Sequence, residues 1–449
     1  MLRRIAFGIG LLSATMLSHP ALAEGARTLQ IIVSKDKQQL VVYDGANVVT
    51  TSKVSTGKAG HTTPSGIFSI LEKRKYHESN LYSNAPMPWM QRLTWSGIAL
   101  HESNSVPNYP ASHGCVRMPG AFAKSLFQMT EQGAHVIITD APVEPERIDH
   151  ANLFRPRKPL PTGPLMSDVE LRASAIRAGD RPVEVAMNVV PGNPAAVHPI
   201  PAPAIAVADP DAAPLRILIT RRGERETLMD AQLLLQDLGF ETGGSDGYSG
   251  PLTRQAIAGF KRWKGLSQKG PLLTPDFLTA LYETAGKPQP PAGQIMVRRN
   301  FEPLFEAPVG IKNPEIALGT HFFTVDKVER NAETAEWTAL TLPNQLGEAT
   351  EQRLGITVTV DRSAPATAAS ALDRIEIPAD IRDRIETLMT DGTSVTINDQ
   401  GIGPETGKGT DFVTVTHPQR QAAAQASVTK VRPVRQTSAA LKPRGIGLY

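Results

Sequence analysis

Short apolar runs separated by turn residues open the readable part of the chain. Leu29 to Ser34 (LQIIVS), Gln38 to Asp44 (QQLVVYD) and Asn47 to Ser55 (NVVTTSKVS) each have strand length and composition. Asp44-Gly45-Ala46-Asn47 between the last two is a hairpin signal. Gly66 to Leu71 is a further β-prone run, and Gly97 to His101 predicts a central strand. From Gly120 the period changes. Phe122, Leu126, Phe127 and Met129 fall at helical spacing to Gln132, and Gly133 is placed to end that helix. His135 to Thr139 (HVIIT) then predicts a buried strand. Residues 27–141 therefore predict a mostly-β sheet domain with one helix.

A second pattern occupies residues 225–286. Leu228, Ala231, Leu234, Leu235 and Leu238 make one helical stripe. Asp246 to Thr253 is a turn feeding a helix whose first residue is Pro251, with Ala256, Ile257, Phe260 and Trp263 as its apolar face. A third helix is predicted over Thr274 to Glu283, giving a small all-α three-helix bundle. Phe260 and Trp263 are expected in its core. Between the two patterns, 142–224 is rich in proline and alanine and predicts an extended linker, with a short helix capped at Ser167 to Glu170. Residues 293–415 predict a β-rich α+β domain, and 416–449 a basic disordered tail carrying Arg420, Lys430, Arg432, Arg435, Lys442 and Arg444. Residues 1–23 have the charged start (Arg3-Arg4), apolar middle and Ala21-Leu22-Ala23 ending of a secretory signal. The apolar run is shorter than the roughly 20 residues of a spanning helix.

Composition adds a few constraints. A length of 449 residues fits several domains, and 41% hydrophobic content is enough for sizeable cores. The net charge of +3 identifies no polyanionic partner, so nucleic acid is not expected. One cysteine, Cys115, stands in a chain expected to be exported; it cannot form an internal disulfide and is either buried or used.

Its neighbours favour use. Cysteine chemistry needs a thiolate, a base and oxyanion donors, and the segment HESNSVPNYPASHGCVR can supply all three. His101 and His113 are both candidates for the base. Gly114 and Cys115 offer backbone amides, with Ser112 supporting the turn. Arg117 is a fixed cation for a substrate carboxylate or for a structural ion pair. The polar loop Lys73 to Thr94 reads as a lid or binding surface, or as an ordinary packed loop. No zinc-type ligand pairing occurs in the segment, so neither metal nor cofactor is expected. Gly401 to Thr410 lacks a Ser or Thr directly after Lys408 and is read as a loop, not a phosphate cradle.

His101, the polar loop and Ser112-His113-Gly114-Cys115-Val116-Arg117 together resemble the signature of the L,D-transpeptidase (YkuD-type) catalytic domain. Val54-Ser55-Thr56-Gly57 and Thr63-Pro64-Ser65-Gly66-Ile67-Phe68 extend the match upstream. The helical pattern resembles the small peptidoglycan-binding domain. The resemblance implies a sheet assembly in which Cys115 is the nucleophile and His101 the base. His101 would be oriented by the backbone carbonyl of Glu102, with His113 in a supporting role. In the resembled family a flap like Lys73 to Thr94 covers the substrate, which makes Tyr76, Tyr82, Trp89 and Arg92 wall candidates, beside the alternative of an ordinary packed loop. It implies action on peptidoglycan stem peptides in the periplasm or cell wall, forming a thioester with loss of terminal D-alanine. The acceptor would be a diaminopimelate amine, a lysine of an outer-membrane protein, a D-amino acid or water. A non-catalytic wall-binding scaffold is the reading of a different class.

One internal similarity concerns the last region. Leu318 to Val325 resembles Pro64 to Ile70, Trp337 to Thr341 resembles Trp95 to His101, and Leu388 to Asp399 resembles Met129 to Asp140. The shared order predicts a degenerate second copy of the sheet domain, without a cysteine.

Overall fold

A computed structural model describes residues 28–79, 84–158, 213–288, 290–343, 346–358, 366–407 and 409–416. The expected signal, Tyr82, the capped helix near Ser167 and all but the first residue of the expected basic tail lie outside the described residues. The chain forms a mostly-β unit, a helical unit and a β-rich unit.

The first unit is built around β1 (Leu29–Ser34) and β9 (His135–Thr139), which run parallel. Both are buried at every position, the reason each reads as an unbroken apolar run. β2 (Gln39–Asp44) and β3 (Asn47–Lys53) continue one side as antiparallel neighbours, and β4 (Gly66–Ser69) flanks β9 on the other. A separate sheet of β5 (Glu72–Arg74), β6 (Met90–Arg92), β7 (Ala99–Glu102) and β8 (Val116–Met118) carries the cysteine segment. Helix α1 (Gly120–Met129) buries Ala123 and Leu126 against Phe68, Leu100, Val116 and Val136. Its C-terminal carbonyls are capped by Lys73, whose Nζ donates to Phe127 O at 2.7 Å and to Thr130 O.

In the second β unit, β10 (Glu146–Ile148), β15 (Thr334–Leu342), β14 (Thr320–Glu329), β17 (Ser394–Asn398), β11 (Arg216–Arg221), β12 (Gly293–Arg299), β13 (Glu302–Ile311) and β16 (Ile375–Glu376) lie side by side in that order. This corrects two expected boundaries. The stretch read as linker supplies an edge strand, a docked Leu153-Phe154 and the central strand β11. Helices α2 (Glu224–Asp237), α3 (Pro251–Trp263) and α4 (Pro275–Thr284) are inserted between β11 and β12, which are antiparallel partners from Arg216–Arg298 to Arg221–Gly293. Their core is Leu228, Leu235, Ile257, Phe260, Phe277 and Leu281. Trp263, expected inside, is 59% exposed and touches Phe260 edge-on.

The two β units share a strand order. β11 and β17 are parallel as β1 and β9 are, β12 and β13 continue as β2 and β3 do, and β14 takes the place of β4. Pro119 to Asp140 and Pro378 to Asp399 match without a gap. Each has a proline N-cap, a ten-residue helix (α1; α7, Ala379–Leu388), a positive-φ glycine and the parallel strand. The Trp337 similarity fails, because β15 pairs directly with β14 whereas β7 lies in the small sheet. In place of that sheet the second unit has β15, helices α5 (Glu348–Arg353) and α6 (Ala368–Asp373), and β16.

The units pack on each other. Ile32, Tyr43, Ile67 and Ile137 meet Phe322, Leu340 and Leu342, and buried Gln30 donates to Thr324 Oγ1 and, at 3.3 Å, to Thr338 Oγ1. Arg216 donates to Gly133 O at 2.8 Å and pairs with Asp411 at 3.3 Å. Finally, β18 (Thr414–Val415) leaves the second unit and pairs with Gly66-Ile67 on the open side of β4.

Candidate active site

The parallel register of β7 and β8 sets Leu100 opposite Val116 and His101 opposite Arg117. Leu100 and Val116 point into the core, so by strand alternation His101 and Arg117 share the other face. Cys115, one residue before Val116, falls on that same face opposite Ala99. Two short strands thus place the thiol, the imidazole and the guanidinium on one face.

His101 is buried. Its Nδ1 lies 2.7 Å from the carbonyl of Glu102, which only accepts, so Nδ1 carries the proton and Nε2 a free lone pair. Burial pushes the imidazole down to about 4, assisted by Arg117 and opposed by the Glu102 carbonyl. Glu102 is fixed in turn: its amide donates to Pro88 O at 2.9 Å, and its carboxylate sits 2.9 Å from where a β-carbon on Gly120 would stand.

Burial also pushes the Cys115 thiol up, against the Ala99 amide and the charges of Arg92 and Arg117, which pull it down. Cys115 Sγ donates to Gly97 O at 3.3 Å. Both shifts favour the uncharged forms, a thiol and a neutral imidazole. Ser112 is buried, and its Oγ donates to Cys115 O while accepting from Gly114 N–H at 3.1 Å. Gly114, expected as an oxyanion donor, therefore has its amide already engaged. Its backbone has φ +120°, and an added β-carbon would sit 3.0 Å from Ile98 Cδ1.

His113 is exposed on the rim, its ring edge-on to His61 at 4.8 Å. Slight burial, Lys58, His61 and Arg117 all lower its pKa. The wall candidates separate. Arg92 pairs with Glu72 at 2.9 Å and lies 5.6 Å over exposed Trp95. Tyr76 is exposed and donates to Glu78 at 2.9 Å. Trp89 is partly buried and packs 5.4 Å edge-on to Phe127 of α1.

Residues 29–138 match the family model described as the L,D-transpeptidase catalytic domain, and 224–272 match a peptidoglycan binding domain. A Bacillus subtilis (strain 168) protein named "Putative L,D-transpeptidase YqjB" is 32% identical over 127 residues, covering 24% of this chain and 70% of that protein. The chain belongs to the L,D-transpeptidase family. Solved L,D-transpeptidases from Mycobacterium smegmatis (21% identical, TM-score 0.24) and Xylanimonas cellulosilytica (30%, 0.23) align with 25% and 26% of this chain. The chain spans 59% and 62% of their lengths.

Sequence reasoning missed several groups of this L,D-transpeptidase domain. The Ala99 amide and Gly97 carbonyl touch sulfur through the backbone and leave no residue-type signal. Trp95 and His61 follow from no pattern. Thr63 stood in a quoted motif without a role.

Proposed function

We propose that the chain is an exported, cysteine-dependent peptidoglycan L,D-transpeptidase, with Cys115 as nucleophile and His101 as base. The observation that carries this is the His101 Nδ1 bond to the Glu102 carbonyl, which fixes the tautomer that leaves Nε2 as a proton acceptor. Sγ attacks the carbonyl of the third residue of a tetrapeptide stem, the L-centre of diaminopimelate, as its proton passes to Nε2. A C–S bond forms and the oxyanion is held by the Cys115 amide. Collapse breaks the C–N bond to D-alanine, which takes the proton from His101. An acceptor amine then attacks the thioester and gives a proton to Nε2; its C–N bond forms, the C–S bond breaks, and that proton restores the thiol. A diaminopimelate amine would give a cross-link, and a lysine of an outer-membrane protein would give wall anchoring. Arg117 and Arg92 are cations for substrate carboxylates, and His113 serves at the rim. The helical unit holds the enzyme on the wall, in the periplasm.

Mass spectrometry of the protein incubated with disaccharide-tetrapeptide, wild type beside Cys115→Ala, tests this. A cross-linked dimer lacking one alanine, absent from the variant, is the expected result. Tripeptide alone would mean hydrolysis, and an unchanged substrate with both proteins would leave a wall-binding scaffold.

A further inference from the structure

Thr63 is fully buried, and its single hydroxyl is used in both directions. Oγ1 accepts from Gly57 N–H at 2.8 Å and donates to Gly114 O at 2.7 Å. The carbonyl it grips belongs to the peptide that joins Gly114 to Cys115. That peptide is trans, so its N–H points away from its C=O. Anchoring the oxygen thereby aims the Cys115 amide. This amide has no hydrogen-bond partner among the described residues, whereas the Gly114 amide is engaged by Ser112. A glycine at φ +120° has wide rotational freedom of its own, so the peptide needs a grip from outside. Ser112 supplies a second grip one peptide further on, at Cys115 O.

We infer that Thr63 is a positioning residue that orients the Cys115 amide as oxyanion donor, acting through the Gly114 carbonyl. The inference rests on the thioester reading given above. It also links the upstream Thr-Pro-Ser-Gly stretch to the reacting atoms, through the Gly114 carbonyl.

Two reactions of one thiol separate this role from a structural one. Alkylation of Cys115 by iodoacetamide forms no oxyanion, whereas acyl transfer from a tetrapeptide does. The full chain carrying Thr63→Val, nearly the same shape without the hydroxyl, is compared with Thr63→Ser and wild type. Thr63→Val is expected to lower kcat for D-alanine release about 10²-fold, with KM and the alkylation rate and its pH profile unchanged. Thr63→Ser is expected to restore most of the loss. A Thr63→Val variant that releases D-alanine at the wild-type rate, or that loses alkylation and release together, overturns the inference. If the wild type itself alkylates but releases no D-alanine, it is the thioester reading that fails.

Discussion

The resting state of the cysteine–histidine pair has a measurable consequence. Moving the proton from Cys115 to His101 spans at least the interval between the thiol's ordinary 9.0, above which burial raises it, and about 4 for the imidazole. Five units at about 1.4 kcal/mol each is about 7 kcal/mol. Attraction between the two charges so formed would recover about 4 kcal/mol even if they stood about 4 Å apart at an effective dielectric of 20. The balance of about 3 kcal/mol leaves the thiolate–imidazolium pair at about 1% of the enzyme. The neutral thiol and neutral imidazole are therefore the resting pair, and the ion pair is a minor state. Iodoacetamide alkylation, followed by mass spectrometry from pH 5 to 9.5, should stay flat up to about pH 7 at about 1% of its high-pH limit, carried by the minor ion pair, and rise about tenfold per pH unit above that. His101→Gln should remove the flat part while lowering acyl transfer about 10²- to 10⁴-fold. A wild-type plateau close to the high-pH limiting rate, abolished by His101→Gln, would refute the reasoning by showing the ion pair as the resting state.

Other consequences are open to direct test. Gly114→Ala must hold a β-carbon at φ +120° against Ile98, so melting should show a loss of about 1–3 kcal/mol and D-alanine release should collapse. Asp399→Leu strips Arg221 of a fully buried partner at 2.7 Å, and urea unfolding should show a loss of about 3–5 kcal/mol in the second β unit. Replacing 224–285 by a four-residue turn should leave tetrapeptide turnover intact, because β11 and β12 are already neighbours; pelleting with insoluble wall should fall. Lys73→Met removes the donor from the last carbonyls of α1 and should raise hydrogen exchange there, at a cost of about 1 kcal/mol.

Legibility along the chain followed how local each determinant was. LQIIVS and HVIIT announced themselves because strands buried on both faces are apolar throughout. The helical unit was equally plain, each stripe being contained within one helix. By contrast, β5, β6 and β8 are three residues each, too short for any period, and partners distant in sequence define them. β11 was hidden in proline-rich surroundings, and its partner β12 lies beyond three helices. The internal similarity was readable where helix, glycine turn and strand follow one another without a gap. It misled at Trp337, where an apolar–threonine alternation suits either sheet. At the site, residue types pointed to the cysteine and to two candidate histidines. The groups aimed at sulfur from the backbone carry no side-chain signature.

The placement of β18 bears on when the enzyme becomes finished. It is the last described strand, yet it closes the edge of a sheet whose other strands lie before Asp140. Until Thr414 and Val415 arrive, Gly66 and Ile67 keep bare backbone groups a few residues beyond Thr63, an edge that invites wrong pairing. Synthesis proceeds from the other end, so the catalytic half waits for the second β unit to be made before its outermost ladder is closed. Closure of that edge is thereby tied to synthesis as far as Val415: a product broken off before Thr414 carries every residue of the thiol site on an unsealed sheet.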